Sequence, residues 1–258
     1  MPQEIRAGLD THWREWGSGT PALLLHCGLA SSRMWAPLSK ALDSRFAMVA
    51  PDLPGHGRSG PIPPGADLHD RITDMAESFL RGGDTVVGHS LGGTVALRLA
   101  LEKRAPLKRL VLVEPVLFAA ARGTPAWEAH QAETAHWNAA LAAGDLADAA
   151  RGFSETWGAR PWDSLRPEER ETMAARMQVI SGTAPALSED SIGMLAPGRL
   201  EAVDVPVILL RGEGTDAIMR QVHEVLRTRL PNVEERVVRG AGHMLPMTHP
   251  EAVIEAMG

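Results

Sequence analysis

Residues Asp84 to Gly93, DTVVGHSLGG, run from a β-type apolar stretch straight into Gly-x-Ser-x-Gly and on into a helical pattern. A serine placed on so sharp a strand-to-helix turn has its hydroxyl held above the strand end. Gly88 and Gly92 are wanted there because a side chain would collide with neighbouring backbone. A neutral hydroxyl is a poor nucleophile, so Ser90 needs an imidazole to take its proton and a carboxylate to orient that imidazole. His243, in the late Gly-rich loop GAGHMLP, is the candidate base. Asp216 follows an apolar strand at a turn and is the favoured acid. The free N–H groups and positive dipole end of the following helix face charge developing beside Ser90, which makes Leu91 N–H the first oxyanion donor.

Such a constellation needs a rigid frame. Short apolar runs at residues 22–25, 46–50, 85–87, 110–113 and 207–210 predict buried strands, with helical patterns at 91–102 and 217–230 between them. The order predicts an α/β fold with a mostly parallel central sheet and helices on both faces. Residues 4–16, with Gly8 and Asp10 in the middle, predict an antiparallel hairpin leading into the sheet. The rhythm breaks after Glu114. Residues 118–197 read as an inserted helical lid, with helices at 126–143, 146–157 and 167–180, while residues 1–117 and 198–258 form the core. Trp127, Trp137, Trp157 and Trp162 lie in the insertion, either as its own packing or as an apolar ceiling over a substrate pocket.

With the elbow in place, the chain resembles the α/β-hydrolase fold family over nearly its whole length outside the insertion. LLLHCGL (residues 23–29) looks like the family's His-Gly loop, PDLPGHGRS (51–59) its DxPGxGxS turn, LLRGEGTD (209–216) its acid-bearing strand end, and residues 240–246 its histidine loop. The order Ser90, Asp216, His243 is the family's order. The resemblance implies Gly28 N–H as the second oxyanion donor, although Cys27 stands where the family usually has glycine. It also implies an alternative acid, Glu114, because some relatives supply the carboxylate from the strand after the nucleophile helix. His56 and His89 sit in turns and are expected to serve in hydrogen bonding rather than catalysis.

Composition narrows the partners. The net charge is -6 over 258 residues, with no basic footprint, which argues against nucleic acid. One cysteine allows no internal disulfide and fits a reducing compartment. The charged N-terminal segment lacks a signal-peptide core and no run is long enough for a membrane span, so a cytoplasmic location is expected. No HExxH or cysteine pair is present, and His130 and His136, six apart, miss the i, i+4 spacing of a helical metal pair, so no metal is expected. No P-loop or dinucleotide loop occurs, so no cofactor is expected either.

Ser90 where dehalogenases and epoxide hydrolases carry aspartate, together with the absence of tyrosine, points away from both. The expected activity is that of a serine hydrolase cleaving a small, fairly apolar carboxylic ester, thioester or lactone through an acyl-enzyme. The alternatives are C-C bond hydrolysis of aromatic-ring cleavage products and, in another class, a ligand-sensing receptor with little turnover.

Overall fold

The computed structural model describes residues 2–62, 65 and 67–258. Eight strands, β1 (Gln3–Arg6), β2 (Leu9–Trp16), β3 (Thr20–Leu25), β4 (Phe46–Pro51), β5 (Asp84–His89), β6 (Leu107–Val113), β7 (Val207–Gly212) and β8 (Val233–Val238), form one sheet in the order β1-β2-β4-β3-β5-β6-β7-β8. The predicted hairpin is β1 and β2, joined by Ala7 and Gly8, both with positive φ as a two-residue turn requires. β2 pairs antiparallel with β4, and every later pairing is parallel. β8 lies at the sheet edge with none of its residues fully buried, and its sequence VEERVV accordingly carries no continuous apolar run. Among the described residues no helix is long and apolar enough to cross a membrane.

Among the described residues nine helices connect and cover the strands: α1 (Ala36–Leu42), α2 (Leu68–Glu77), α3 (Leu91–Leu101), α4 (Pro125–Ala143), α5 (Leu146–Trp157), α6 (Pro167–Ser188), α7 (Ala217–Arg229), α8 (Leu245–Thr248) and α9 (Pro250–Met257). Consecutive strand residues point to opposite faces. Leu23, Leu25, Val86, Leu110, Leu112 and Leu209 enter one core cluster, whereas Ala22, Leu24, Val87, Val111, Val113, Ile208 and Leu210 enter the other. That division is why these strands read as continuous apolar runs.

Between β6 and β7 the chain is helical. Thr124 caps α4 by accepting the Trp127 N–H, Pro125 sits in its first turn, and Gly144 closes it in the left-handed region. α6 runs to Ser188, beyond the residue 180 expected from sequence, because Pro185 falls in its last turns and the helix tolerates Gly182. A side chain at Gly182 would press on Leu68 of α2, so this glycine lets α6 lie close against the core.

The parallel strands all end on the same edge of the sheet, where their following loops meet. At that edge α3 packs directly under β3: a Cβ on Gly92 would overlap the Leu25 carbonyl, and one on Gly88 would overlap the Gly92 carbonyl. Gly92→Ala is therefore expected to destabilise the protein by about 1 to 3 kcal/mol through overpacking. An unchanged unfolding free energy in chemical denaturation would contradict this close approach.

Candidate active site

Ser90 lies between the last residue of β5 and the first of α3, with φ 56° and ψ -118°. Its N–H donates to the Val113 carbonyl at 2.9 Å, and its carbonyl accepts from Gly93 and Thr94 as the helix starts. The neighbouring strand ends in a similar strain: Glu114, directly after β6, has φ 47°. Positive φ at a residue with a side chain costs about 1 to 3 kcal/mol and persists only where surrounding contacts fix it.

Those contacts are visible at Glu114. Its side chain is wholly buried. Oε1 accepts the Gly212 N–H at 2.8 Å, and Oε2 accepts both the Thr215 hydroxyl at 2.6 Å and the His243 Nδ1 at 3.2 Å. Burial alone would raise the carboxyl pKa, but these hydrogen bonds and the imidazole outweigh it and hold Glu114 below the usual range. An ionised carboxylate only accepts, so Nδ1 of His243 carries its proton and Nε2 is left with a lone pair.

Asp216, favoured from sequence as the partner of His243, makes no hydrogen bond to it. It occupies the N-cap of α7, and burial with Glu114 nearby raises its pKa despite His243 and Arg220. The physical reason is local. Thr215, one residue earlier, turns inward to bond Glu114, and the Glu114 side chain already fills the place beside Nδ1. The alternative residue, Glu114, is the one the structure brings to His243.

His243 is held from two further sides. Nε2 of His89 donates to its carbonyl at 2.9 Å, and Trp157 meets its ring edge-on with centroids 4.8 Å apart. Burial lowers the His89 pKa to about 3, so this histidine is a neutral brace. Ser90 and His243 line the same cavity of about 760 Å³. Among the described residues no hydrogen bond joins their side chains, an alignment that commonly tightens only with substrate bound.

The first donor named from sequence, Leu91 N–H, opens α3 and has no intrahelical acceptor. Gly28 lies in the loop after β3, where the following residue, Leu29, has φ 63°. Leu29 N–H donates to His56 Nε2 at 2.9 Å, which leaves the Gly28 N–H without a partner among the described residues. The carbonyls of Leu29 and Ala30 both accept Nη1 of Arg176 from α6, at 3.0 and 3.1 Å. The loop is thus gripped by the core on one side and by the helical segment on the other. Arg176 carries no local sequence signal; only the packing of α6 reveals it.

Two histidines support this grip. His26 Nε2 accepts the Leu53 N–H while its Nδ1 donates to the Cys27 carbonyl. His56 Nδ1 donates to the Pro54 carbonyl, and the two rings meet edge-on with centroids 5.0 Å apart. Burial lowers both pKa values, that of His26 to about 4. Asp52, from the same Gly-rich turn, accepts from Ser32 N–H, Arg58 N–H and His12 Nδ1. Cys27 is buried, and burial pushes its thiol up to about 12, so it stays protonated and unreactive at neutral pH.

The four tryptophans divide. Trp137 and Trp157 line the cavity. Trp127 and Trp162 do not: Trp127 packs on the main core beneath the Arg122 guanidinium, and Trp162 packs among the helices between β6 and β7 beneath Arg170. Periodicity could not separate them because all four sit on or beside helices whose several faces are covered.

A model of the alpha/beta hydrolase family matches residues 22–256. The chain is 27% identical to a soluble epoxide hydrolase of Corynebacterium sp. (strain C12), over 98% of this chain and 94% of that protein. It is 25% identical to a pimeloyl-acyl-carrier-protein methyl ester esterase of Nitrosomonas europaea, over 94% of this chain and 96% of that one. Among solved structures, an alpha/beta hydrolase from Sphaerobacter thermophilus DSM 20745 aligns with a TM-score of 0.77 over 100% of both chains at 22% identity, a likeness of fold.

Two expectations follow from the hydrogen bonding. Glu114→Gln should lower kcat by about a thousandfold to ten-thousandfold, as loss of a tautomer-fixing carboxylate does, and Asp216→Asn by less than about tenfold; a larger loss in the Asp216 variant would return the acid to that residue. The neutral buried histidines also set a pH dependence. Their folded pKa values, about 4 for His26 and about 3 for His89, lie below the unfolded value of about 6.5. The unfolded chain therefore binds protons first as pH falls, and stability present above about pH 6.5 is lost progressively toward pH 4. Thermal melts should show Tm falling across that window, and a flat profile would contradict the neutral assignments.

Proposed function

In a chain that belongs to the alpha/beta hydrolase family, we propose that Ser90, His243 and Glu114 form the catalytic triad of a serine hydrolase acting on carboxylic esters. Ser90 Oγ attacks the ester carbonyl as His243 Nε2 takes its proton. The buried Glu114 carboxylate stabilises the imidazolium that results. Negative charge on the carbonyl oxygen is met by the N–H groups of Leu91 and Gly28, each such donor worth about 2.7 to 4 kcal/mol of barrier. His243 returns its proton to the departing alcohol, leaving the acyl group on Ser90. Water, deprotonated by the same imidazole, then releases the acid and restores the hydroxyl.

The observation that carries this reading is the pairing of His243 with a buried, ionised Glu114 beside a serine on a strained strand-to-helix turn. The epoxide hydrolase among the relatives does not redirect it. A serine oxygen opening an epoxide would leave an ether, which water does not cleave under these conditions, whereas an acyl ester on Ser90 turns over. The helices within residues 118–197 act as the cap, with residues 1–117 and 198–258 as the catalytic core. The cavity between them is lined mainly by apolar side chains such as Leu29, Val116, Phe118 and Leu187, which fits a small, fairly apolar ester.

A fluorophosphonate should form one adduct, mapped by peptide analysis to Ser90. Short-chain p-nitrophenyl esters should give a burst of p-nitrophenol that Ser90→Ala abolishes. Full activity in that variant, or an adduct elsewhere, would overturn the assignment.

A further inference from the structure

Seven histidines are buried, and six of them have a polar protein partner. His12 is bound to Asp52, His26 to Cys27 and Leu53, His56 to Leu29 and Pro54, His69 to Arg98, His89 to the His243 carbonyl, and His223 Nδ1 lies 3.3 Å from Glu235 Oε1. His130 differs. It is 8% exposed, lines the cavity above Ser90, and its ring nitrogens make no hydrogen bond among the described residues. Burial alone lowers its pKa, to about 4, with no partner acting for or against. Its ring nitrogens are not among the occluded unpaired atoms of the described residues, so they open onto the cavity and are free to pair with whatever enters it.

A second polar group shares this wall. Ser154 is 3% exposed, lines the same cavity, and its hydroxyl likewise makes no hydrogen bond among the described residues. It precedes Trp157 by three residues on α5 and so shares its face. Trp157 in turn contacts both histidines, its ring centroid 5.8 Å from that of His130 and 4.8 Å from that of His243. Phe118 stacks on His130 at 4.9 Å and lies 5.8 Å from Trp157, so the three rings form one cluster. One aromatic ring therefore separates this polar pair from the catalytic imidazole.

We propose that His130 and Ser154 form a specificity subsite for a neutral hydrogen-bonding group, best matched by a secondary amide, carried a few bonds from the scissile ester carbonyl. This rests on the serine-hydrolase reading and names the substrate class it acts on. A neutral imidazole offers one donor and one acceptor, and a serine hydroxyl rotates to supply either. A secondary amide presents both and is flat enough to lie against Trp157. A carboxylate fits less well, because His130 is uncharged at neutral pH and Arg160 and Arg166 at the cavity rim are paired with Glu169.

The test compares matched esters. Ethyl N-acetylglycinate is set against ethyl 4-methylpentanoate, and 2-acetamidoethyl acetate against 4-methylpentyl acetate, so that an amide replaces an isobutyl shape on each arm in turn. In the wild-type enzyme at least one amide ester should exceed its alkyl match in kcat/KM by about tenfold, the worth of roughly one hydrogen bond that would otherwise go unmade. His130→Phe should bring that ratio close to one, Ser154→Ala should lower it, and His130→Gln, which keeps a donor and an acceptor, should restore part of it. Ratios near one in the wild type, or ratios that neither His130→Phe nor Ser154→Ala moves, would overturn the subsite. Hydrolysis of none of the four esters while Ser90 is still labelled by a fluorophosphonate would also overturn it. Failure of that label at Ser90 would instead overturn the serine-hydrolase reading beneath it.

Discussion

The buried carboxylate of Glu114 is the contact on which the site depends. It gathers a backbone N–H from the end of β7, the Thr215 hydroxyl from the turn before α7, and the imidazole of a loop that follows β8. Two stretches distant in sequence, the turn after β7 and the histidine loop, are thereby tied to the end of β6, which itself pairs with the strand carrying Ser90. A carboxylate so deeply buried keeps its charge only because each donor compensates for lost water. The ionised carboxylate in turn fixes the imidazole's tautomer, so the electrostatics that make the group tolerable in the core are those that leave Nε2 with its lone pair.

A second set of constraints shapes the loop after β3. The neutral rings of His26 and His56 hold it through backbone groups, and Asp52 organises the Gly-rich turn that presents His56. From the other side, Arg176 reaches out of α6 to two carbonyls of the same loop. The backbone that presents Gly28 N–H is therefore shared between the sheet and the helices above it. Movement of α6 relative to the sheet would act directly on the loop of the proposed oxyanion hole, whereas the backbone of Ser90 is bonded to β6 and to α3.

The strand and helix pattern was readable because each central strand is buried on both faces and each helix between them has capping residues or breakers at its ends. β8 carries no continuous apolar run since at the sheet edge none of its residues is fully buried and charged side chains interrupt the valines. The insertion's helices could be placed, yet their cavity-facing sides could not: α4 and α6 contact neighbours on several faces, so Trp127 and Trp162 looked no different from Trp137 and Trp157. The positions of His56 and His89 in turns point to hydrogen bonding, and each ring bonds a backbone group of a neighbouring loop.

The amino-acid order by itself determined the architecture and marked Ser90 and His243 as candidates for the site, because strand periodicity and a Gly-flanked serine turn are local properties written within a few residues of one another. The choice between Asp216 and Glu114 was not local. Both follow apolar strands, and either could reach an imidazole in an extended drawing of the chain. Tertiary packing decided between them: the register of β6 against β7 set Glu114 within reach of Gly212 and Thr215, the inward turn of Thr215 left Asp216 at a helix cap, and the single place beside Nδ1 admits one carboxylate. Arg176, His130 and Ser154 belong to the same category, since a side chain's partner, or its lack of one, exists only once distant segments have come together.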